Sequence, residues 1–488
     1  MGSLAANSSK IHGQIAIVMV PFHAQGHLNQ FLHLSRLISS YNIPVHYVGY
    51  SRVVSRAKAR VHGWDLATAT NCIRFEEFPT PSCFTSPNSS SSDSSSSETY
   101  ISKLFAPILD ASITLREPVT AFIKNLSSTT RRVVVIYDSM MAYTVQDAVI
   151  SLENVDGYCF YAISAFSNST LYWDAIKYRF HLPSFIAKIA KKFLLPSGAY
   201  FPERLPTIRS TFTPEFIEIM RLQHSCNKFS SGNLYDTCKV LEGPYLETLA
   251  RFNMLTKQWA VGPFNPVTVS GITEFKSSTR HECLEWLDKQ APNSVILVSF
   301  GTTTSLSTEQ VKQLAMGLEK SRQKFIWVVR DAIKGEGEVQ IPRGYEERVK
   351  ERGIIVKDWA PQLEILAHKS TGGFMSHCGW NSCMESITMG VPIATWPMHF
   401  DQPRNAILVT DVLKIGVVVK HWDHRDDIID STTIKNAVEK LMASAEGREM
   451  RIRANEFGKK IRESVKNGGD HQMEMDSFIA QVTRGALE

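Results

Sequence analysis

Gly372-Gly-Phe-Met-Ser-His-Cys-Gly-Trp-Asn-Ser-Cys-Met-Glu385 is the stretch on which the fold turns. A short apolar run delivers His377 and Gly379 to a turn, and a helix is predicted to start near Asn381 and Ser382. In an open parallel sheet such a corner attracts anions, because first-turn N–H groups lack partners and the helix dipole is positive there. Imidazole and hydroxyl donors, a glycine permitting close backbone approach and bare amides suit a diphosphate. Glu385, three to four residues into the helix, can reach back toward a ribose diol. Taken alone, the same residues also read as an Asn/Ser cap over a capping Glu.

The strand-then-helix rhythm continues on both sides. Stretches 294–300, 325–330, 353–357, 373–376, 392–396 and 416–420 are strand-like, with amphipathic segments between them. Upstream, Ile15-Ala-Ile-Val-Met-Val20 reads as a fully buried strand followed by a helix through Phe31, Leu34 and Ile38. Stretches 44–50 and 132–137 read as further strands, the last stopping at Asp138. Alternation of this kind implies α/β architecture, a parallel sheet with helices on both faces. A chain of 488 residues is too long for one ordinary domain. Two facing doubly wound, Rossmann-like domains are therefore expected: an N-terminal domain over 1–250, a linker over 251–270, a second domain over 271–465, and a C-terminal helix over 466–488 packing back on the first. The nearly all-serine insertion 88–98 predicts a surface loop without a catalytic role.

Two more predicted strand ends carry chemistry. Trp359-Ala-Pro-Gln362 could offer an indole face for a base and an amide to read it, the alternative being a buried core tryptophan. Phe400-Asp401-Gln402 places a carboxylate and an amide at a helix start, where they suit vicinal hydroxyls, although Asp401 by itself reads as an N-cap. Over residues 359–402 the W-A-P-Q, H-C-G-W-N-S, E, G-V-P and D-Q elements, in register, strongly resemble the sugar-nucleotide signature of plant family 1 UDP-glycosyltransferases. The likeness extends through Pro21-Phe-His-Ala-Gln-Gly-His27, Trp286-Leu-Asp-Lys-Gln290 and Gly301-Thr-Thr-Thr304. Within that family, Val240-Leu-Glu-Gly-Pro-Tyr-Leu-Glu247 and Pro397-Met-His-Phe-Asp-Gln-Pro-Arg-Asn405 look most like the zeatin O-glycosyltransferases.

The resemblance implies a GT-B type fold and a set of roles. Trp359 would stack on uracil, with Ala360 and Gln362 at the base; His377, Asn381 and Ser382 would hold the diphosphate, Glu385 the ribose, and Gly379 would belong to the same UDP-sugar site. Trp380, Asp401 and Gln402 would bind the sugar, and Thr304 would join the UDP-sugar site. His27, between a strand end and a helix start, looks like the family's general base; the positive dipole end predicts a neutral imidazole, and Asp138 would orient it. His23 and His33 read as surface or packing histidines. His23 stands where the family commonly has Pro, and Ser386 where it usually has Gly.

A net charge of +5 spread over this length gives no reason to expect nucleic acid. Eight scattered cysteines without a C-x-x-C pair suit reduced thiols, and residues 1–20 hold no apolar run long enough for a signal or a span, so a cytoplasmic location without membrane insertion is expected. No D-x-D pair occurs, which predicts no metal and no cofactor. Together these imply a UDP-glucose-dependent, inverting O-glucosyltransferase, a monomer, acting on a hydroxyl of a small plant metabolite, with zeatin as the first choice. Flavonoid or terpenoid acceptors, and a UDP-xylose-dependent zeatin O-xylosyltransferase, are alternatives. Outside the transferases stand a sugar-nucleotide epimerase and a catalytically silent UDP-sugar-binding protein. The acceptor pocket is predicted around Phe22, Phe84, residues 140–143 and residues 166–173, which are rich in apolar and aromatic side chains.

Overall fold

Ile15–Val20, six apolar residues with every side chain buried, is the central strand β1 of the first sheet. The structure is a computed structural model that describes residues 14–59, 72–81, 109, 113–181, 183–253, 256–267, 280–301, 306–329, 341–357 and 359–484. The first sheet also holds β2 (Val45–Tyr50), β3 (Ile73–Phe78), β4 (Arg132–Asp138), β5 (Val155–Tyr161), β6 (Gly232–Tyr235) and β7 (Lys257–Ala260), in the order β3-β2-β1-β4-β5-β6-β7. The second holds β8 (Val295–Ser299), β9 (Lys324–Val329), β10 (Gly353–Lys357), β11 (Thr371–Ser376), β12 (Ile393–Thr395) and β13 (Gly416–Val418), in the order β10-β9-β8-β11-β12-β13. The pairings are parallel, so each chain return needs a crossover, and helices fill both faces.

All six strands read in the second half are present, within a few residues of their expected limits. In the first half four strands carry no such apolar run. β3 is a half-exposed edge strand with charged residues, β5 is interrupted by Asp156 and Gly157, and β6 and β7 are only four residues each. β7 lies within 251–270, so part of the stretch read as linker is sheet. The last helix, Asp470–Val482, lies on this edge: Phe478 meets Trp259 and Tyr158 at 5.5 and 5.4 Å, and His471 bonds the Gly262 carbonyl at 2.9 Å. The serine-rich stretch, Phe84 and Thr304 lie outside the described residues. Among the described residues no helix is long and apolar enough to cross a membrane, and the seven described cysteines are free.

Candidate active site

Each sheet reverses its strand order between two neighbours, β1 and β4 in the first and β8 and β11 in the second. Crossover helices leave in opposite directions at such points, so a crevice opens beyond the strand ends. β1 leads into the helix Gln25–Ser39, in which His27 is the third residue, and β4 ends on Asp138. Val20 pairs with Tyr137, which carries both residues to the same edge. His27 Nδ1 lies 2.6 Å from one Asp138 oxygen, and the other accepts the Met140 N–H at 2.9 Å. Asp138 is fully buried, whereas the imidazole keeps 25% of its surface exposed and lines the cleft.

The helix dipole is not the largest influence on the His27 imidazole. Burial pulls the His27 pKa down, but the charge and hydrogen bond of Asp138, with the charge of Asp401, outweigh it and set the net value above 6.5. A general base works unprotonated, so activity should fall as pH drops through a midpoint above 6.5. Burial pushes Glu385 up to about 7, into the same range. Asp138→Asn separates the two: it removes the charge of Asp138, so a limb due to His27 should move to lower pH while turnover falls. A kcat/KM profile whose acid limb stays put in that variant would assign the limb elsewhere.

At the second crevice β11 ends on Ser376, and His377, Cys378 (φ 63°) and Gly379 turn the chain into the helix Trp380–Met389. Gly379 is the N-cap, no side chain caps the helix, and its first turn holds no acid. The capping reading of Asn381, Ser382 and Glu385 is thereby set aside, and uncapped first-turn amides suit an anion. Gly301 (φ 79°), after β8, and Gly379 bracket the His377 ring. A Cβ at either would lie 2.8 or 2.5 Å from a ring atom, so glycine at both makes room for the imidazole. Gln362 donates to Glu385 at 2.8 Å and to Ser382 at 3.1 Å, tying the corner after β10 to this one. Trp359 is 46% exposed and meets His281 edge-on at 5.9 Å, so it is no core tryptophan; Ala360 beside it is buried. Ser386 turns away and donates to the Val391 carbonyl at 2.8 Å.

Several of these side chains are also committed to protein partners that the sequence did not foretell. Asn381 donates to the Gly26 carbonyl at 3.0 Å and accepts from Gln30, so the corner after β11 is tied to the helix bearing His27. The Trp380 indole donates across the cleft to the Asp236 carbonyl at 2.8 Å. Gln402 accepts from the backbone N–H groups of Met398 and His399 at 2.9 and 3.1 Å, which leaves its carboxamide oxygen bracing that loop. Asp401 accepts from Asn405 at 2.7 Å and stands at the N-cap of the helix Gln402–Ile407 without a capping bond. Buried His23 packs edge-on to Tyr50, as a packing histidine does, while His33 lines the cleft.

The cleft between the sheets encloses about 2220 Å³ and touches His27 and every donor-site candidate within the described residues. Ligand pockets usually hold ~300–1,000 Å³, so there is room for two substrates. Of the residues expected at the acceptor end, Phe22, Met140, Leu171, Tyr172 and Trp173 line it, whereas Phe166 and Met141 are fully buried in the first-domain core. The sequence reading missed a trio: Phe212, Phe216 and Phe400 pack at 5.2–6.0 Å on the cleft wall. The i, i+4 spacing of Phe212 and Phe216 was its one visible signal. Among the described residues no group of three or more His, Cys, Asp or Glu could hold a metal ion.

Residues 13–266 match the family model described as glycosyltransferase, N-terminal domain. A zeatin O-glucosyltransferase of Phaseolus lunatus is 48% identical over 481 residues, which cover 96% of this chain and 97% of that one. A zeatin O-xylosyltransferase of Phaseolus vulgaris is 45% identical over 478 residues, covering 96% and 98%. Among solved structures, a UGT transferase from Siraitia grosvenorii in complex with UDP aligns with a TM-score of 0.74 and 26% identity, covering 96% of this chain and 100% of that one.

Proposed function

Because the chain belongs to the plant family 1 UDP-glycosyltransferases, we propose that it transfers glucose from UDP-glucose to the side-chain hydroxyl of zeatin with inversion at the anomeric carbon. The observation that carries the mechanism is the His27–Asp138 pair, which faces Asp401 across a cleft bounded on its far side by the uncapped helix at Gly379. His27 takes the acceptor hydroxyl proton as the oxygen attacks the anomeric carbon, and the bond from that carbon to the UDP oxygen breaks. Asp138 holds the ring and stabilises the imidazolium that forms. One displacement converts an α-linked donor to a β-glucoside. The departing diphosphate meets the first-turn amides of Trp380–Met389, His377 and Ser382, and no metal takes part. Trp359 stacks on the uracil, Gln362 and Ala360 border it, and Glu385 takes the ribose diol. Asp401 and the backbone at Trp380 bind the sugar hydroxyls, with Gln402 supporting the loop around them.

Zeatin fits the aromatic acceptor end, where Tyr172, Phe212, Phe216 and Phe400 suit a planar purine and its short apolar arm. The relatives named above support the same acceptor, and one of them makes UDP-xylose the competing donor. A side-by-side assay in excess EDTA tests the reading. UDP-glucose with trans- or cis-zeatin should yield an O-glucoside at the highest kcat/KM, and adenine, which lacks the arm hydroxyl, should yield nothing. Preference for UDP-xylose would overturn the donor. Efficient glucosylation of a flavonoid or terpenoid with no zeatin product would remove the acceptor. Activity lost to EDTA and restored by Mg²⁺ would remove the metal-free mechanism.

A further inference from the structure

The helix Ser184–Leu194 turns its two alanines and Leu194 inward and leaves most of its large apolar residues outward. Ala187 is buried, and Ala190 and Leu194 pack against the first-domain core. Phe185, Ile189 and Phe193 are 65%, 55% and 78% exposed. A spacing of four aligns these three as one stripe along the outer face. Folding alone would place such side chains against the core, and an exposed contiguous apolar stripe marks a contact surface. The polar part of the helix is one-sided as well. It carries Lys188, Lys191 and Lys192 and no acid, and all three lysines line the mouth of the cleft.

We propose that this helix docks the protein on an anionic lipid surface. Phe185, Ile189 and Phe193 enter the boundary between headgroups and acyl chains, and Lys188 and Lys192 meet the lipid phosphates. Charge complementarity selects the occupant: aromatic and aliphatic residues on one arc with lysines alone on the adjoining arc are the pattern of a helix lying in the interface plane. Eleven residues make a helix of about 16 Å, half a hydrocarbon core, so it lies on the bilayer and does not span it. Lys188, Lys191 and Ala187 border the cleft, so docking would set its mouth at the bilayer, where an apolar acceptor concentrates.

Co-sedimentation of the full chain with phosphatidylcholine vesicles, with and without phosphatidylserine, tests this. Binding should require phosphatidylserine and weaken with added salt. It should fall about tenfold or more both in Phe185→Ser/Phe193→Ser and in Lys188→Glu/Lys192→Glu. All these side chains are exposed or at the cleft rim, and unchanged melting temperatures would show that the variants fold. Absence of binding to phosphatidylserine vesicles, or binding unaffected by both variants, overturns the proposal. So does a concentration-dependent dimer that the Phe185→Ser/Phe193→Ser variant abolishes, in a protein that ignores vesicles: the stripe would then be a contact between two copies.

Discussion

His27→Ala should lower turnover by about 10²-fold to 10⁴-fold, the range expected when a positioned general base is removed. The affinity for UDP should barely change. The imidazole reaches the cleft from the first domain, while the uncapped helix at Gly379, the Gln362–Glu385–Ser382 cluster and Trp359 belong to the second. An interaction made only as the acceptor loses its proton enters kcat and leaves ground-state binding of the donor product nearly untouched. Asp138→Ala should act in the same direction and less severely, because the ring stays in the cleft but loses the partner that orients it. Steady-state kinetics beside calorimetric UDP titration checks both. Near-normal turnover with His27→Ala would assign the proton transfer to another group, and a large loss of UDP affinity would make His27 a part of the donor site.

The second large effect is on stability. Arg404 is completely buried, and from the helix Gln402–Ile407 its guanidinium crosses into the first domain. There it donates to Asp174 at 3.2 Å, to the Pro206 carbonyl at 2.7 Å and to Thr211 at 3.3 Å. Burial pulls its pKa down to about 10, still well above neutrality, so the group remains charged. Arg404→Met keeps much of the volume, removes the charge and leaves Asp174 and the Pro206 carbonyl short of a donor. Breaking a buried pair at one end costs ~3–5 kcal/mol, and the lower end applies because Asp174 keeps Lys177 at 3.0 Å. Thermal unfolding should show a melting temperature lower by roughly 5–15 °C, and Asp174→Asn should recover part of the loss when combined with it. A melting temperature within a degree or so of the parent would mean that the two domains do not depend on this contact. Asn405, the next residue, has the same reach: it accepts from Ser164 and Ser167 of the first domain while holding Asp401.

What the sequence determined by itself is whatever local pattern encodes. Uninterrupted apolar runs such as Ile15–Val20 and residues 295–298 can be buried on both faces only within a parallel sheet, so the doubly wound architecture was legible from them. The glycine turn that leads into the helix Trp380–Met389 was legible too, because its glycine and helix start lie within a few consecutive residues. Strands β3, β6 and β7 were not: they are short or half-exposed, and neighbouring strands define them more than their own periodicity does. Nor could the sequence reveal which candidates would be shared between domains. That Asn381 bonds Gly26, that Trp380 bonds Asp236 and that Asp401 lifts the His27 pKa are contacts between residues 144 to 374 positions apart. The direction of the His27 shift is the clearest case. Local sequence supplies only the helix dipole, which disfavours the proton. The two carboxylates that win it back come from the end of β4 and from the opposite domain, and Coulomb interactions in a poorly solvated cleft depend on distance in space alone.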